Sequence, residues 1–362
     1  MADDKPFAGP AGERQRERSF PCSSCGADLV YQPGATTLIC PYCAHNEAIP
    51  RDGRSIREFS LNAYVPLPKP QIAPGSRGLT PMACSACGAE IEVPPETAAR
   101  PCPYCGGTLL ASGEHAGLQS ACEALLPFKI SRSTADTAVK AWLQGLWFAP
   151  SDLKRAVTIE RFSSLYQPWW TFDSHTLSHY SGEAGHHYTV TVGEGKNQRT
   201  ETRTRWSYEQ GVHEEFFDDM PVPAADFREW GDGYNFSALT PYETSYLAGH
   251  SATTATRDPQ HGWSDAKVRI ETRLDGTCRR LIGGDVQRNV QVVTAHRSVT
   301  YKLIMLPRWQ GGFRYRGKAF VITVNGQSGK VVGDRPWSAW KITGAVITGL
   351  ALLAGLYLLF NR

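Results

Sequence analysis

The sequence lacks several features by which an enzyme or a nucleic-acid-binding protein is often identified. Its 38 basic and 35 acidic residues leave a formal net charge of only +3, which gives no electrostatic reason to expect a strong polyanion binder. No G-x-x-x-x-G-K-S/T phosphate loop occurs, so an ATP-driven motor of that class is excluded. The zinc-hydrolase motif H-E-x-x-H is also absent.

The N-terminus lacks the apolar segment of a secretory signal. Residues 1–20 carry mixed charges, and we expect them to form a short disordered arm. The chain also lacks the cysteine pattern of a small disulfide framework, because eight of its ten cysteines fall in four C-x2-C pairs along 362 residues. This pattern favours metal sites and a reducing compartment.

The paired cysteines form two copies of C-x2-C-x14-C-x2-C, offset by 62 residues. Zinc needs four ligands in a tetrahedron, and each C-x2-C turn supplies two thiolates. Gly26 and Gly88 follow the first pair of each copy, where a positive φ is often needed. Four protein ligands leave no open position for a catalytic water, so we predict two structural Zn²⁺ ions per chain. The predicted ligands are Cys22, Cys25, Cys40 and Cys43 in the first zinc ribbon (21–50) and Cys84, Cys87, Cys102 and Cys105 in the second (81–112).

Neither ribbon has the charge typical of a nucleic-acid-binding module. The first contains no lysine or arginine, and the second has several glutamates against Arg100 alone. A zinc ion with four thiolates carries a formal charge of −2, so both ribbons should repel phosphate, and nucleic acid is not an expected partner. A folding or protein-docking role is favoured. Between the ribbons, the Pro/Gly-rich residues 51–80 predict an extended, flexible linker.

The C-terminus holds a 19-residue apolar run, Ile342 to Phe360, without charge or proline. At 1.5 Å per residue such a helix is about 28 Å long, close to the ~30 Å hydrocarbon core of a bilayer. A buried helix would keep a polar stripe, and this run has none. Basic residues just before it predict a tail anchor (337–362) in the cytoplasmic (inner) membrane, with the body in the cytoplasm. Small residues at Ala345 and Gly349 leave homo-oligomerisation open.

Residues 113–336 predict an α+β body with a mainly antiparallel sheet. The spacing of apolar residues predicts a helix over 133–147, capped by Ser131 or Ser133, within a helical connector (113–155). In the domain 156–336, most segments alternate as strands, Asn325-Gly326 signals a hairpin, and a second helix is expected over Trp263–Ile282.

A cluster of histidines in HTLSHYSGEAGHHY is the best candidate for a further metal or catalytic site. Gly182 and Gly185 interrupt this stretch and its flanks predict strand, so the histidines are expected to be exposed or hydrogen-bonded along a hairpin. HEEFFDDMP is expected to be a solvated or partner-facing acidic loop, and Cys122 and Cys278 to be buried, unreactive thiols. The candidate ligands of the cluster are His175, His179, Glu183, His186 and His187.

The order of two four-cysteine ribbons, LLPFKIS, YQPWWTFD, PYETSYLAG, MLPRW, VNGQSGKVVGDRPWS and an apolar C-terminal helix resembles a bacterial family of membrane-anchored, TFIIB-type double zinc-ribbon proteins, often mislabelled as primosomal replication factor Y or helicase-like. The resemblance covers nearly everything after residue 20. It implies a cytoplasmic body tethered to the inner membrane, with cytoplasmic or membrane protein partners of SPFH or phage-shock type and a role in membrane stress.

The sequence therefore predicts a non-enzymatic, single-pass, tail-anchored protein whose two ribbons project into the cytoplasm as protein-interaction heads. Two alternatives stay open. One is a nucleic-acid-binding regulator held at the membrane, and the other is a membrane-bound, metal-dependent hydrolase that uses the histidine cluster.

Overall fold

The computed structural model describes residues 20–50, 53–64, 80–83, 90–93, 97–102, 108–110, 122–153, 159–193, 195, 198–227 and 233–360. Within them the chain is α+β, with a largely antiparallel main sheet and three α-helices, as predicted. The helices are α1 (Arg132–Gly145), α2 (Pro259–Ile282) and α3 (Ala339–Phe360).

Sixteen strands occur in the described residues. The short N-terminal ones are β1 (Val30–Tyr31), β2 (Thr37–Ile39), β3 (Asn46–Ala48), β4 (Phe59–Ser60), β5 (Thr80–Ala83), β6 (Glu90–Val93), β7 (Thr97–Pro101) and β8 (Thr108–Leu110). The body contributes β9 (Cys122–Leu125), β10 (Ile159–Val192), β11 (Arg199–Pro223), β12 (Thr240–Pro241), β13 (Ser251–Thr253), β14 (Val286–Tyr315), β15 (Lys318–Asn325) and β16 (Val331–Gly333).

The main sheet follows the order β12-β9-β14-β10-β13-β7-β8, with β11 added on β10, β4 and β15 on β14, and β16 on β15. Two of its pairings are parallel, β10 with β13 and β14 with β9; the other described pairings are antiparallel. The predicted helical connector is therefore partly strand, because β9 lies inside this sheet.

Three strands are far longer than the usual five or six residues. β10 has 34 residues, β14 has 30 and β11 has 25, and β10 pairs antiparallel with both of the others. Register shifts between Phe172 and Ser174 on the β11 side, and between Ser181 and Glu183 on the β14 side, let the strands bend. We call these three strands the extended sheet.

Helix α2 covers one face of the extended sheet. The Asp258 side chain accepts a hydrogen bond from the His261 backbone N–H and caps the helix, which begins four residues earlier than predicted. Gly262 allows α2 to approach the Trp170 ring, and Gly182 of β10 makes room for Ile282. The buried stripe recurs at every fourth residue: Gly262, Ala266, Ile270, Leu274, Cys278 and Ile282.

Helix α1 lies close to its predicted range. The Ser131 hydroxyl accepts from the Thr134 N–H, which identifies Ser131 as the cap. The predicted hairpin after Asn325 has a five-residue loop rather than a two-residue turn. The Asn325 side chain accepts from the N–H groups of Gln327 and Ser328, and Gly329 adopts φ 77°, which closes the loop.

The first cysteine module does not project on a linker; it packs on the body. The Tyr31 N–H donates to the Ala248 carbonyl at 3.0 Å, and its hydroxyl donates to the Phe128 carbonyl at 3.2 Å. His250 Nε2 donates to the Tyr31 carbonyl, and the His250 ring stacks on Phe128 at 4.7 Å. Leu29, with Tyr31, belongs to the main core. The expectation that this module projects on a flexible linker is therefore wrong, whereas its protein-interaction role stays a prediction.

The second module and the linker also differ from the prediction where they are described. β7 of the second module pairs with β13, with Ala99 opposite Ala252. In the predicted linker, Phe59 of β4 pairs with Tyr301 of β14, so residues 53–64 lie on the body. The rest of the linker (51–52 and 65–79) and most of the predicted N-terminal arm lie outside the described residues. Patterning missed these contacts because they join segments far apart in sequence.

Candidate metal centre and apolar helix

The four cysteines of the first module converge on one point. Cys22 Sγ lies 3.7 Å from Cys43 Sγ, and Cys25 Sγ lies 3.5 Å from Cys40 Sγ. All four sulfurs lie within 4.8 Å of one another. Four thiolates around a tetrahedral metal with bonds of ~2.3 Å would be about 3.8 Å apart, so this group can hold a metal ion.

Two matching turns position these sulfurs. In the first, the Gly26 N–H donates to the Cys22 carbonyl at 2.8 Å, and in the second the Ala44 N–H donates to the Cys40 carbonyl at 3.0 Å. Both turn residues have positive φ, 74° and 59°. Gly26 adopts this positive φ without strain, as predicted, because glycine has no Cβ. Ala44 adopts it although its Cβ makes this region unfavourable, which sequence reasoning did not anticipate.

The environment of the centre acts in opposite directions on two of its thiols. The Ala27 N–H lowers the pKa of Cys25, but hydrogen bonds with the Cys43 and Cys40 thiols raise it to about 12. Cys22 and Cys40 are buried, whereas Cys25 and Cys43 are exposed. The backbone N–H groups of Cys43 and Tyr42 point at the Cys40 sulfur and lower its pKa to about 7. His45 Nε2 contacts the Ser23 hydroxyl at 3.2 Å and does not enter the ligand set, as expected.

The second module is described in part. Cys102 is buried in a small cluster with Met82, Val93 and Leu109. Cys84, Cys87 and Cys105 lie outside the described residues, so the second metal site stays a prediction.

The histidine cluster does not converge. All of its members lie on β10, where a separation of four residues spans about 13 Å. His175 packs against the Phe216 ring at 4.4 Å, and His187 Nδ1 contacts the Thr204 hydroxyl at 3.0 Å. Glu183 forms an ion pair with Arg288. The expectation of exposed or hydrogen-bonded histidines on a strand describes this geometry, which brings no three of these side chains to one metal.

The segment HEEFFDDMP is strand, not the predicted acidic loop. It lies in β11, and its Asp219 pairs with Lys302 Nζ at 2.6 Å. Lys302 also binds Glu58 Oε1 at 2.6 Å, and the Asp219 N–H donates to Asp173 Oδ1 at 2.8 Å. Three carboxyl groups thus surround one ammonium. Sequence reasoning missed this cluster, because its members come from four separate strands or loops.

The charges of this cluster of three carboxyl groups and Lys302 should make the free energy of unfolding depend on pH. Burial, and then the neighbouring Glu58, raise the pKa of Asp173 to about 7. Between pH 4 and 7 the folded chain binds a proton at Asp173 that the unfolded chain releases, so this contribution to stability falls as pH rises. Asp173→Asn should remove that fall, so the melting temperature of the variant relative to that of the parent should rise between pH 5 and 7 in detergent. Buried His250, whose pKa is lowered to about 4, adds the same rise with pH to both chains and cancels in this difference. Exposed Asp226 supplies the control, and equal curves for Asp173→Asn, Asp226→Asn and the parent would contradict the prediction.

Buried thiols are found where they were expected. Cys122 donates to the Ala124 carbonyl at 3.4 Å, and burial raises the pKa of its thiol. Cys278 lies on the buried face of α2, and burial raises the pKa of its thiol too. A raised thiol pKa disfavours the reactive thiolate.

Helix α3 has 22 residues, a mean hydropathy of 2.1 and no buried residue. It is long and apolar enough to cross a membrane. The body holds its first turn, since the Ser338 N–H donates to the Phe148 carbonyl at 2.8 Å and Lys341 Nζ donates to the Ala149 carbonyl at 2.9 Å.

Comparisons with known proteins add one distant relative. The chain is similar to "Uncharacterized protein YdjG" of Bacillus subtilis (strain 168), with 26% identity over 242 residues that cover 63% of this chain and 67% of the relative. No protein-family model matches the chain, and no solved structure matches it significantly. The relative's name carries no function to transfer.

Proposed function

We propose that this chain is a non-enzymatic, zinc-stabilised protein that is anchored in the cytoplasmic membrane by α3 and binds other proteins through its cytoplasmic body. The apolar length of α3 and the basic residues before it support the anchor and its orientation. Four thiolates close the candidate metal centre, and a closed centre has a structural role.

Zinc is the metal we propose for both modules. A set of four thiolates selects soft or borderline metals, and a tetrahedral site of this kind is typical of structural zinc. The repeated spacing supports a second ion at Cys84, Cys87, Cys102 and Cys105. Membership of the membrane-anchored double zinc-ribbon family, with partners of SPFH or phage-shock type, is part of the same proposal and is supported by the motifs quoted above.

The observation that carries the binding function is an apolar surface on the extended sheet. Strand alternation places Leu177, Val212, Phe216 and Val293 on the face opposite α2, and we call this set the open face. Val293 is 70% exposed and Val212 is 54% exposed. His179 lies between these two valines in the register.

The charges around the open face suit a protein partner. Glu214 pairs in register with Leu177, and Arg297 pairs with His175, so both signs border the apolar row. A polyanion would meet the acidic group as well as the basic one, whereas a protein with a matching apolar row and mixed charges would not be repelled.

Crosslinking in membranes tests this role. Val293→Asp should reduce crosslinked partner complexes about tenfold or more, because burying an unpaired carboxylate costs more than 1.4 kcal/mol. Val268→Asp is the matched control, because Val268 is 63% exposed on α2 and lies away from the open face. Unchanged complexes with Val293→Asp would overturn the binding role. Point variants test the role better than deletion of residues 21–112, the two cysteine modules and the segment between them. That deletion would also remove strands of the main sheet and could unfold the body.

A further inference from the structure

The loop after α1 is fixed to the beginning of α3. The Ser338 N–H donates to the Phe148 carbonyl at 2.8 Å. Lys341 Nζ donates to the Trp147 carbonyl at 3.2 Å and to the Ala149 carbonyl at 2.9 Å. Three bonds therefore hold loop 147–150 at the level of the first turn of α3.

The aromatic side chains at this level are turned to the outside. Trp147 is 82% exposed, and Phe148 beside it is 38% exposed. On the α3 side, Trp340 is 85% exposed and Trp337 is 55% exposed. Each tryptophan offers roughly 150–250 Å² for burial, so their exposure together marks an interaction surface rather than scattered surface residues.

The depth of this loop follows from the length of the apolar run. Residues 342–360 form a helix of about 28 Å, which nearly fills the ~30 Å hydrocarbon core. Lys341 then lies at the edge of the hydrocarbon, and the loop bonded to it lies among the headgroups. Tryptophan is the side chain that this interface favours most clearly, because it has an apolar ring and a polar N–H.

We propose that loop 147–150 is a second membrane contact, in which Trp147 and Phe148 insert into the headgroup region of the bilayer that α3 enters. The inference rests on the proposed anchorage by α3. A single spanning helix does not by itself fix its tilt or rotation in the bilayer, so the body bonded to it could face the lipid in several orientations. A second contact on α1's loop fixes which face of the body is turned towards the lipid.

Fluorescence quenching by brominated lipid tests the contact. The intact chain is reconstituted in phosphatidylcholine vesicles that contain a phospholipid brominated near the headgroup end of its acyl chains. If Trp147, Trp337 and Trp340 are the tryptophans within reach, Trp147→Ala should remove about one third of the quenchable amplitude. Trp206→Ala is the control and should leave it unchanged, because Trp206 lies on the extended sheet beneath the Arg288 guanidinium.

A third variant separates failure of this inference from failure of the anchor. Loss of quenchable amplitude with Trp340→Ala but not with Trp147→Ala would overturn the second contact and leave the anchor in place. No loss with either variant would overturn the proposed anchorage itself. Trp147 is exposed, so its replacement should leave the fold intact.

Discussion

Cys40→Ser should abolish tight metal binding at the first module and lower the melting temperature of the whole body. A serine hydroxyl is not ionised near neutral pH and cannot replace a thiolate ligand. Even loss of a group that hydrogen-bonds a metal ligand typically costs 10- to 100-fold in metal affinity, so loss of a ligand itself should cost more than about 100-fold. Metal binding supplies on the order of 10–16 kcal/mol to isolated modules of this kind, which makes metal loss equivalent to local unfolding.

Unfolding should spread from the module because its core is shared with the body. Leu29 and Tyr31 pack into the main cluster, and the Tyr31 ring meets Tyr246 edge-on at 5.1 Å. Release of the module would expose these side chains together with Phe128 and His250. Large buried aromatic contacts are worth about 3–5 kcal/mol when removed, which is a large part of the stability of a typical domain.

The measurement is metal content per chain by atomic emission, with the melting temperature recorded beside it. Cys40→Ser should lose one ion per chain, whereas Cys122→Ser, which changes a buried thiol outside the ligand set, should keep the parent's metal content. A chelator should lower the melting temperature of the parent more than that of Cys40→Ser. Equal metal content in Cys40→Ser and the parent would refute the proposed centre.

The candidate metal centre was the most predictable part of the molecule. Its ligands lie close in sequence, and the C-x2-C turn fixes their spacing locally through bonds such as Gly26 N–H to the Cys22 carbonyl. The apolar run of α3 and the cap of α1 at Ser131 are equally local signals. Such features need no knowledge of the rest of the fold.

The arrangement of the modules could not be predicted in the same way. Tyr31 meets Phe128 and His250 across 97 and 219 residues, and no periodicity in the sequence carries such a pairing. The Pro/Gly content of residues 51–80 predicts an extended linker, and it says nothing of the pairing of Phe59 and Ser60 with β14. The cluster around Lys302 could not be predicted for the same reason, because its members lie far apart in the sequence.

Removal of α3 should release the chain from carbonate-washed membranes. Ten of the residues in 342–360 are Leu, Ile, Val or Phe, each worth about 0.3–0.6 kcal/mol on insertion, so the run supplies about 3–6 kcal/mol. A chain that ends at Ser338 should stay in the supernatant after sedimentation and alkaline carbonate extraction, whereas the intact chain should stay in the pellet. Persistence of the truncated chain in the carbonate-washed pellet would show that another segment holds it there.

The truncated chain should otherwise keep its structure, because α3 buries none of its residues against the body. Its metal content and body melting temperature should match those of the intact chain in detergent. Loss of both would instead mean that α3 is part of the folded core.

A pair of substitutions distinguishes a helix that crosses the bilayer from one that only lies on the membrane surface. Leu352 and Leu353 lie near the middle of α3, and charge at the centre of a bilayer costs about 2.5–3.5 kcal/mol per residue. Leu352→Lys with Leu353→Lys should therefore cancel most of the insertion free energy and shift the chain to the carbonate-soluble fraction. The same two positions changed to alanine should remain in the pellet, since alanine carries no charge into the hydrocarbon. Equal pelleting of the lysine and alanine pairs would mean that α3 lies against the membrane surface, where a lysine can reach water, and does not cross it.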